Sequence, residues 1–183
     1  MPEIYNPKDD SFLLSEVLKK QIPKLLTKNL KFLEIGSGSG IQLETAKNFR
    51  VKNILSCDIN PAAVKHCKKL GFNCIKSDLF NNIKGKFDLI IFNPPYLPED
   101  KKEPKNSRIS TTGGKTSSEI INRFLKQAKY HLNKNGKILL LVSSLTKGVK
   151  FNNYKKKILG RKKIFFEELF VLELSLKGNK IIL

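Results

Sequence analysis

Short apolar runs alternate with stretches of helical periodicity along most of this chain, and several of the apolar runs end in a small polar cluster. Because strands that alternate with helices must pair side by side, this order favours an α/β fold: a mainly parallel sheet with helices on both faces. The apolar spacing predicts helices over 11–26, 41–49, 61–70 and 118–132 and strands over 31–35, 53–58, 72–76, 87–92 and 137–143.

The remaining segments are less regular. The polar stretch 97–117 predicts a long loop, and loops of that length in compact domains are usually functional or disordered. Residues 154–159 are predicted as a basic helical piece, and strands over 162–166 and 169–176 are close enough to form a hairpin. Because the chain has 183 residues and no internal repeat or linker, we expect a single domain over residues 1–183.

The charge balance is strongly basic, with 35 Lys and Arg against 16 Asp and Glu and a net charge of +19. Such a field attracts polyanions, which favours a contact with RNA or the ribosome through the basic surface. An AT-rich genome would raise Lys together with Asn and Ile, so both interpretations stay open. An odd cysteine count, no export signal and no apolar run of membrane-spanning length predict a soluble cytoplasmic protein without membrane contact.

Four polar clusters follow predicted strands: Glu34 with its glycines, Asp58, Asp78, and the run 93–96. In open α/β sheets, ligands bind at the carboxyl ends of the strands. Each cluster alone is weak evidence, because a lone Asp after a strand is more often a helix cap than a ligand. Their order and spacing together predict one binding site.

The glycine turn reads Gly36-x-Gly38-x-Gly40 after Glu34, not the GxGxxG of a dinucleotide site. A carboxylate beside the turn is a poor host for a pyrophosphate and suits a cofactor with a cationic amino-acid end. S-adenosylmethionine has that chemistry, and glycine lets the backbone approach it closely. Asp58 then lies where an acid accepts bonds from ribose hydroxyls, and Asp78 where an acid meets an adenine amino group.

The run Asn93-Pro94-Pro95-Tyr96 predicts the reaction. The lone pair of a planar amide or amino nitrogen is delocalised and does not attack a sulfonium methyl group. The Asn93 side-chain oxygen and the Pro94 carbonyl can accept the two NH₂ hydrogens and stabilise the charge that develops on nitrogen. Pro95 helps to fix the turn, and Tyr96 offers a face for the planar group. The alternative is a rigid loop with Tyr96 filling the core.

These clusters, with Tyr5-x-Pro7-x-x-Asp10-Ser11-Phe12-Leu13-Leu14, resemble class I S-adenosylmethionine-dependent methyltransferases. Among them the chain is similar to the short archaeal and eukaryotic branch of the HemK-like glutamine N5-methyltransferases that modify release factors. The resemblance implies a Rossmann-like, mainly parallel seven-stranded sheet with an antiparallel last strand. It implies Asn93 as the substrate clamp, and cofactor contacts at Ser11, Glu34, Gly36, Asp58, Asp78 and Leu79.

Three functions remain open. The first is methylation of the glutamine in the Gly-Gly-Gln motif of a translation release factor. The second is adenine N6-methylation of RNA or DNA, since such enzymes share Asn-Pro-Pro-Tyr. The third is a non-catalytic binding module, which the intact Asn93 and Asp58 disfavour. The resemblance also implies a small zinc-binding activator that adds a strand to the sheet edge, where we expect the strand 72–76; this chain itself shows no metal site.

Other candidate residues are given no role in the reaction. His66 and His131 stand alone on predicted helices, and the cysteines at 57, 67 and 74 are interpreted as small apolar residues. The segment 112–115, Thr-Gly-Gly-Lys, lacks the context of a P-loop and is interpreted as part of a substrate-side loop.

Overall fold

The structure is a computed structural model that describes residues 4–25, 29–96 and 118–178. Within these residues, seven strands form one sheet in the order β3-β2-β1-β4-β5-β7-β6. The elements are α1 (Asp9–Leu25), β1 (Lys31–Ile35), α2 (Ile41–Asn48), β2 (Asn53–Asp58), α3 (Pro61–Lys69), β3 (Asn73–Lys76), β4 (Phe87–Phe92), α4 (Glu119–His131), β5 (Leu132–Ser143), β6 (Tyr154–Ile164) and β7 (Glu167–Leu176).

The sheet is mainly parallel, as predicted. Four strand pairs are parallel: β3 with β2, β2 with β1, β1 with β4, and β4 with β5. The last strand, β7, lies antiparallel between β5 and β6. The predicted fold class is therefore confirmed, including its antiparallel last strand.

The core lies on both faces of the sheet. Neighbouring residues of β1 point to opposite sides, so that Phe32 belongs to the cluster under α1 and α2 and Leu33 to the cluster under α4. Leu18 of α1 and Phe124 of α4 are fully buried at the centres of the two layers. Because both faces are covered, the central strands are near-continuous apolar runs, which is the pattern that the sequence shows.

Local signals set several helix ends. Asn60 caps α3 by accepting a bond from the backbone N–H of Ala62 at 2.9 Å, and Pro61 begins that helix, where its missing N–H costs nothing. Helix α1 begins at Asp9, not at the expected cap Ser11. Ser11 is instead buried in its first turn. Two acidic residues in that turn favour the early start, because they interact with the positive helix end.

The prediction of a basic helical piece over 154–159 was wrong, because these residues form the first half of β6. Only Tyr154 in this segment is buried, and its hydroxyl donates to the backbone oxygen of Leu125 at 2.8 Å. The three lysines that follow are exposed, and β6 is an edge strand whose pairing within the described residues is with β7. Charged side chains are typical of such edges. The predicted loop 97–117, with its segment 112–115, lies outside the described residues.

Candidate active site

A cavity of about 300 Å³ opens at the carboxyl ends of β1, β2 and β4. It collects residues from six separate parts of the chain, four of which follow parallel strands that end at one edge of the sheet. Every residue predicted for the site lines this cavity: Ser11, Glu34, Gly36, Gly38, Asp58, Asp78, Leu79, Asn93, Pro94, Pro95 and Tyr96.

The glycine turn connects β1 to α2 through left-handed backbone. Gly36 and Gly38 have φ of +71° and +47°, which residues with a Cβ seldom adopt. The Gly36 N–H donates to the Cys57 carbonyl at 2.8 Å, and the Gly38 N–H donates to Asp58 Oδ2 at 2.8 Å. The turn is thereby fixed against the end of β2.

Glu34 and Asp58 make the floor of the cavity acidic. Asp58 also accepts the N–H of Asn60 at 2.8 Å. Burial raises the pKa of Asp58, although its backbone hydrogen bonds act in the opposite direction. Burial, and after it the nearby Asp58 carboxylate, raises the pKa of Glu34 well above its usual range. Glu34 Oε2 is buried without a hydrogen-bond partner in the described structure, so the site has acceptor capacity for a cationic ligand.

Asp78 and Leu79 follow β3 at the side of the cavity. Arg123 of α4 donates to Asp78 Oδ2 at 2.7 Å, a pairing that the sequence did not predict. Leu79 has φ of +50°, which is costly for a bulky residue. Ser77 Oγ donates to the Leu79 carbonyl at 2.9 Å and holds this backbone in place. Strained backbone of this sort concentrates at functional sites.

The side chain of Asn93 is held by the first turn of α1. Its Nδ2 donates to Asp10 Oδ2 at 3.0 Å. Because an ionised carboxylate only accepts hydrogen bonds, Asp10 fixes which end of the amide is nitrogen. Asn93 Oδ1 then faces away from Asp10 and is buried without a partner in the described structure. An unpaired buried acceptor at the cavity is the feature that an NH₂ donor requires.

Two tyrosines flank this pair. The Tyr5 hydroxyl donates to the Asp10 carboxylate at 3.1 Å. Burial, followed by the charge of Asp10, raises the pKa of both Tyr5 and Tyr96 above the usual phenol range. Both phenols therefore stay neutral at physiological pH. Tyr96 lines the cavity and also packs against the core, so its position is compatible with both the predicted stacking face and the alternative role as a core residue.

Comparison with known proteins agrees with this geometry. The methyltransferase small domain family matches residues 9–163. The chain belongs to that family. A Methanocaldococcus jannaschii protein assigned as a protein N5-glutamine methyltransferase is 40% identical, covering 93% of this chain and 91% of that protein. A release factor glutamine methyltransferase of Borreliella burgdorferi is 38% identical, covering 73% of this chain and 51% of that protein.

A solved structure is similar to this chain over nearly its whole length. It is the E. cuniculi Mtq2-Trm112 complex responsible for the methylation of the eRF1 translation termination factor. It matches with a TM-score of 0.73 and 25% identity, covering 97% of this chain and 100% of that chain. The resemblance to HemK-like N5-glutamine methyltransferases of archaeal and eukaryotic type is thus confirmed. The chain is an S-adenosylmethionine-dependent methyltransferase, and S-adenosylmethionine is its cofactor.

The methyltransferase site contains residues that the sequence analysis did not assign. Asp10 and Tyr5 belong to the N-terminal pattern, whose fixed spacing was the available signal. Gln42 donates from Nε2 to the Ser11 carbonyl at 2.8 Å. Arg123 enters from α4, 45 positions beyond Asp78, and no local pattern marks it. Its place in the site depends on how α4 packs on the sheet.

The remaining candidates lie outside the proposed chemistry. The ring of His131 stacks on Phe80 with centroids 4.6 Å apart, and His66 contacts the Ser39 carbonyl at 3.2 Å. The three cysteines are buried and free. Over residues 4–25, 29–96 and 118–178, no cluster of His, Cys, Asp and Glu could hold a metal ion. No helix in that part of the chain is long and apolar enough to cross a membrane.

Proposed function

We propose that this methyltransferase modifies the side-chain amide nitrogen of the glutamine in the Gly-Gly-Gln motif of a translation release factor. The observation that carries the proposal is Asn93 Oδ1, which is buried without a hydrogen-bond partner in the part of the chain that the structure describes and which Asp10 holds in one orientation. The Borreliella burgdorferi relative, named a release factor glutamine methyltransferase, and the E. cuniculi complex, which methylates the eRF1 termination factor, support a release factor as the substrate.

The substrate clamp works by holding hydrogens, not by removing a proton. Asn93 Oδ1 and the Pro94 carbonyl accept the two amide hydrogens, which directs the nitrogen lone pair into the cavity. They also stabilise the positive charge that develops on nitrogen, and they are preorganised because the two prolines restrict the backbone. Tyr96 lines the same cavity and packs on the planar amide. No general base takes part in activating the nitrogen before the transfer. The N–C bond forms as the S–C bond breaks, the methylated nitrogen then loses one proton to water, and S-adenosylhomocysteine leaves.

The acidic floor and the glycine turn hold the cofactor. When bound, S-adenosylmethionine supplies an electrophilic methyl group. Glu34 and the turn glycines Gly36 and Gly38 take its cationic amino-acid end, which is supported by Glu34 Oε2, an atom without a hydrogen-bond partner among the described residues. Asp58 accepts from the ribose hydroxyls. Three further residues that line the cavity complete the cofactor contacts: Ser11, Asp78 and Leu79.

Labelled S-adenosylmethionine tests the substrate. Purified release factor, ribosomal RNA and DNA are offered in parallel, with a release factor that has alanine in place of the motif glutamine as the matched control. We expect label in the intact factor alone, and none with the Asn93→Ala enzyme. Label in adenine of RNA or DNA, with none in the release factor, would overturn the proposal.

We further propose a heterodimer with a small zinc-binding activator protein through β3. Strand β3 lies at the sheet edge, as expected, and its described pairing is with β2 alone. An open edge accepts a strand from a partner. A shallow groove beside it is lined by Pro61, Val64 and four lysines, Lys65, Lys68, Lys69 and Lys76, so a partner with acidic side chains fits this face. The Mtq2-Trm112 complex supports a partner of this kind.

Co-expression followed by size-exclusion chromatography tests the heterodimer. We expect a 1:1 complex with a zinc-binding activator and higher activity than the chain alone. The double change Lys68→Glu and Lys69→Glu reverses charge at the groove and should weaken the complex, while Lys126→Glu and Lys129→Glu on α4 serve as the control. A fully active chain that binds no such activator contradicts the proposal.

We also propose that residues 1–183 form one domain. The proposed place of action is the cytoplasm, where release factors work on the ribosome. The net charge of +19 supports an additional contact with RNA or the ribosome. Limited proteolysis that leaves one resistant core tests the domain, and cosedimentation with ribosomes over a salt series tests the contact. Cosedimentation that is absent even at low salt contradicts the ribosome contact.

A further inference from the structure

The turn between β6 and β7 exposes two adjacent aromatic side chains. Phe165 and Phe166 are 90% and 99% exposed, more than any other large apolar residue in the described structure. Two neighbouring phenylalanines form a contiguous apolar patch, whereas exposed apolar residues on soluble monomers are normally scattered singly. This pair is called the Phe tip below.

The Phe tip lies at the same edge of the sheet as the active site. Strand β6 is antiparallel to β7, and β7 is antiparallel to β5, so β6 runs in the direction of β5 and β4. Its carboxyl end therefore faces the side where β4 ends at the Asn-Pro-Pro-Tyr run. Strand β6 is three strand spacings from β4, about 14 Å.

Hydrogen bonds tie the base of the Phe tip to this edge. Ser143, at the end of β5, donates from Oγ to Glu167 at 2.6 Å. The Ser144 N–H donates to the Glu168 carbonyl at 2.8 Å. On the other strand, Lys162 pairs with Asp9 of α1 at 2.7 Å. The aromatic pair is thus presented on a fixed support next to the helix that carries Asp10.

The backbone of the Phe tip is unfavourable for its own residues. Phe165 has φ of +43°, a left-handed conformation that Asn or Gly adopts far more readily than a bulky aromatic residue. Neither exposed phenylalanine gains core burial in return. The stability of the fold therefore does not explain why two phenylalanines occupy this turn, whereas a role in binding does.

We propose that the Phe tip docks the methyl-accepting protein, by inserting into an apolar patch of its surface away from the glutamine. This inference rests on the proposed function and names a second contact for the same substrate. The distance of about 14 Å between β6 and β4 is too large for the Phe tip to contact the glutamine that enters the cavity. A folded protein that covers the cavity is large enough to reach the Phe tip. Aromatic side chains are enriched among the residues that dominate protein interfaces.

The surrounding charges favour a protein over a nucleic acid. Two carboxylates, Glu167 and Glu168, directly follow the aromatic pair. Of the three cations that precede it, Lys162 pairs with Asp9, whereas Arg161 and Lys163 are exposed. A surface that stacks bases follows the nucleic-acid backbone with a positively charged groove, and the two carboxylates interrupt such a groove here. Mixed charge around an apolar pair is instead typical of a protein interface with a polar rim.

The test compares an intact release factor with a short peptide that contains Gly-Gly-Gln. The variant is the full chain with the changes Phe165→Asn and Phe166→Ser. When an activator protein copurifies with the chain, the complex is used in the assay. Because Asn accepts the left-handed backbone, we expect a melting temperature no lower than that of the wild type. Losing a buried aromatic contact should raise KM for the intact factor at least about tenfold, with kcat and all peptide kinetics unchanged.

The matched control is Tyr130→Ser, which removes a 66% exposed aromatic side chain from α4; it should leave every parameter unchanged. An unchanged KM for the intact factor overturns the docking role, and so does an equal loss on factor and peptide. Loss of RNA binding with an unchanged KM would assign the Phe tip to nucleic acid and also overturns it. A wild-type chain that methylates neither substrate contradicts the proposed function itself.

Discussion

The Asn93 amide is oriented by a charge from another element. Asp10 accepts from Nδ2, and Oδ1 is buried with no hydrogen-bond partner among the described residues. We expect Asn93→Ala to fold normally, to bind S-adenosylmethionine with little change and to lose turnover by about 10²–10³-fold, since a preorganised acceptor is removed. Single-turnover kinetics beside calorimetric cofactor binding measure both effects. Near wild-type turnover would place the chemistry at another residue.

Asp58 combines a structural role with the proposed cofactor contact. Its carboxylate already accepts two backbone N–H groups, from Gly38 and Asn60. We expect Asp58→Ala to weaken S-adenosylmethionine binding by about 1.5–3 kcal/mol, the range for hydrogen bonds to a charged group. Calorimetry on the folded variant measures the change, with circular dichroism to show that the turn survives. Unchanged affinity in a folded variant contradicts the ribose contact.

Glu34 links stability to pH in the absence of cofactor. Folding raises its pKa above the usual value of 4.5, so the folded state binds more protons than the unfolded state above that pH. The free energy of unfolding then falls as pH rises from 4.5 toward the folded-state pKa. We expect Glu34→Gln to be more stable than the wild type near neutral pH, by at least about 1 kcal/mol.

Urea unfolding between about pH 4 and pH 8 measures the Glu34 effect, since the advantage of the variant should shrink as the wild-type carboxyl is protonated. The exposed Glu44→Gln change is the control and should show no such trend. A stability difference that stays constant with pH would mean that Glu34 is not the titrating group. The same variant should bind S-adenosylmethionine more weakly.

At the scale of elements, we expect the packing of helix α1 on the edge strand β6 to affect both the stability of the fold and the activity of the site. Gly160 of β6 faces α1, and a Cβ there would lie 2.6 Å from Val17 Cγ2. Valine is stiff in a helix and cannot move aside easily. We expect Gly160→Ala to lower stability by about 1–3 kcal/mol and also to lower turnover, because α1 carries Asp10.

Thermal unfolding and turnover of the Gly160→Ala variant are compared with those of Gly178→Ala, where a Cβ would meet no atom within 4 Å. The control should match the wild type in both measurements. A Gly160→Ala protein with unchanged melting temperature would show that α1 can move away from β6 at no cost. A lowered melting temperature with normal turnover would uncouple this contact from the site.

The net charge acts on the whole molecule. A chain with +19 repels itself in the compact state, and salt screens this repulsion. We expect the melting temperature to rise between about 10 mM and 150 mM NaCl, as the screening length falls from about 30 Å to about 8 Å. Differential scanning calorimetry measures it, with an uncharged osmolyte as the control for general solvent effects. A melting temperature that falls with salt would mean that favourable ion pairs outweigh the repulsion.

Much of the sheet and the polar clusters of the cavity at the strand ends were predictable because their signals are local. Each signal spans only a few residues, as in the apolar run 87–92, the glycine turn and the Asn-Pro-Pro-Tyr run. Backbone conformation depends mainly on residues that are this close in the sequence. The exceptions are informative. Residues 154–159 carry no strand alternation of their own, and they form a strand because β7 supplies hydrogen bonds on one side.

The sequence by itself determined the order of elements, the turns at the strand ends and the residue types placed at the candidate site, because propensity and turn chemistry act between near neighbours. Only the tertiary structure decided which groups face each other. Asp10 meets Asn93 across 83 positions and Arg123 meets Asp78 across 45. Such contacts depend on how the helices pack on the sheet, since burial brings distant side chains together and a pattern of neighbours does not encode their distances.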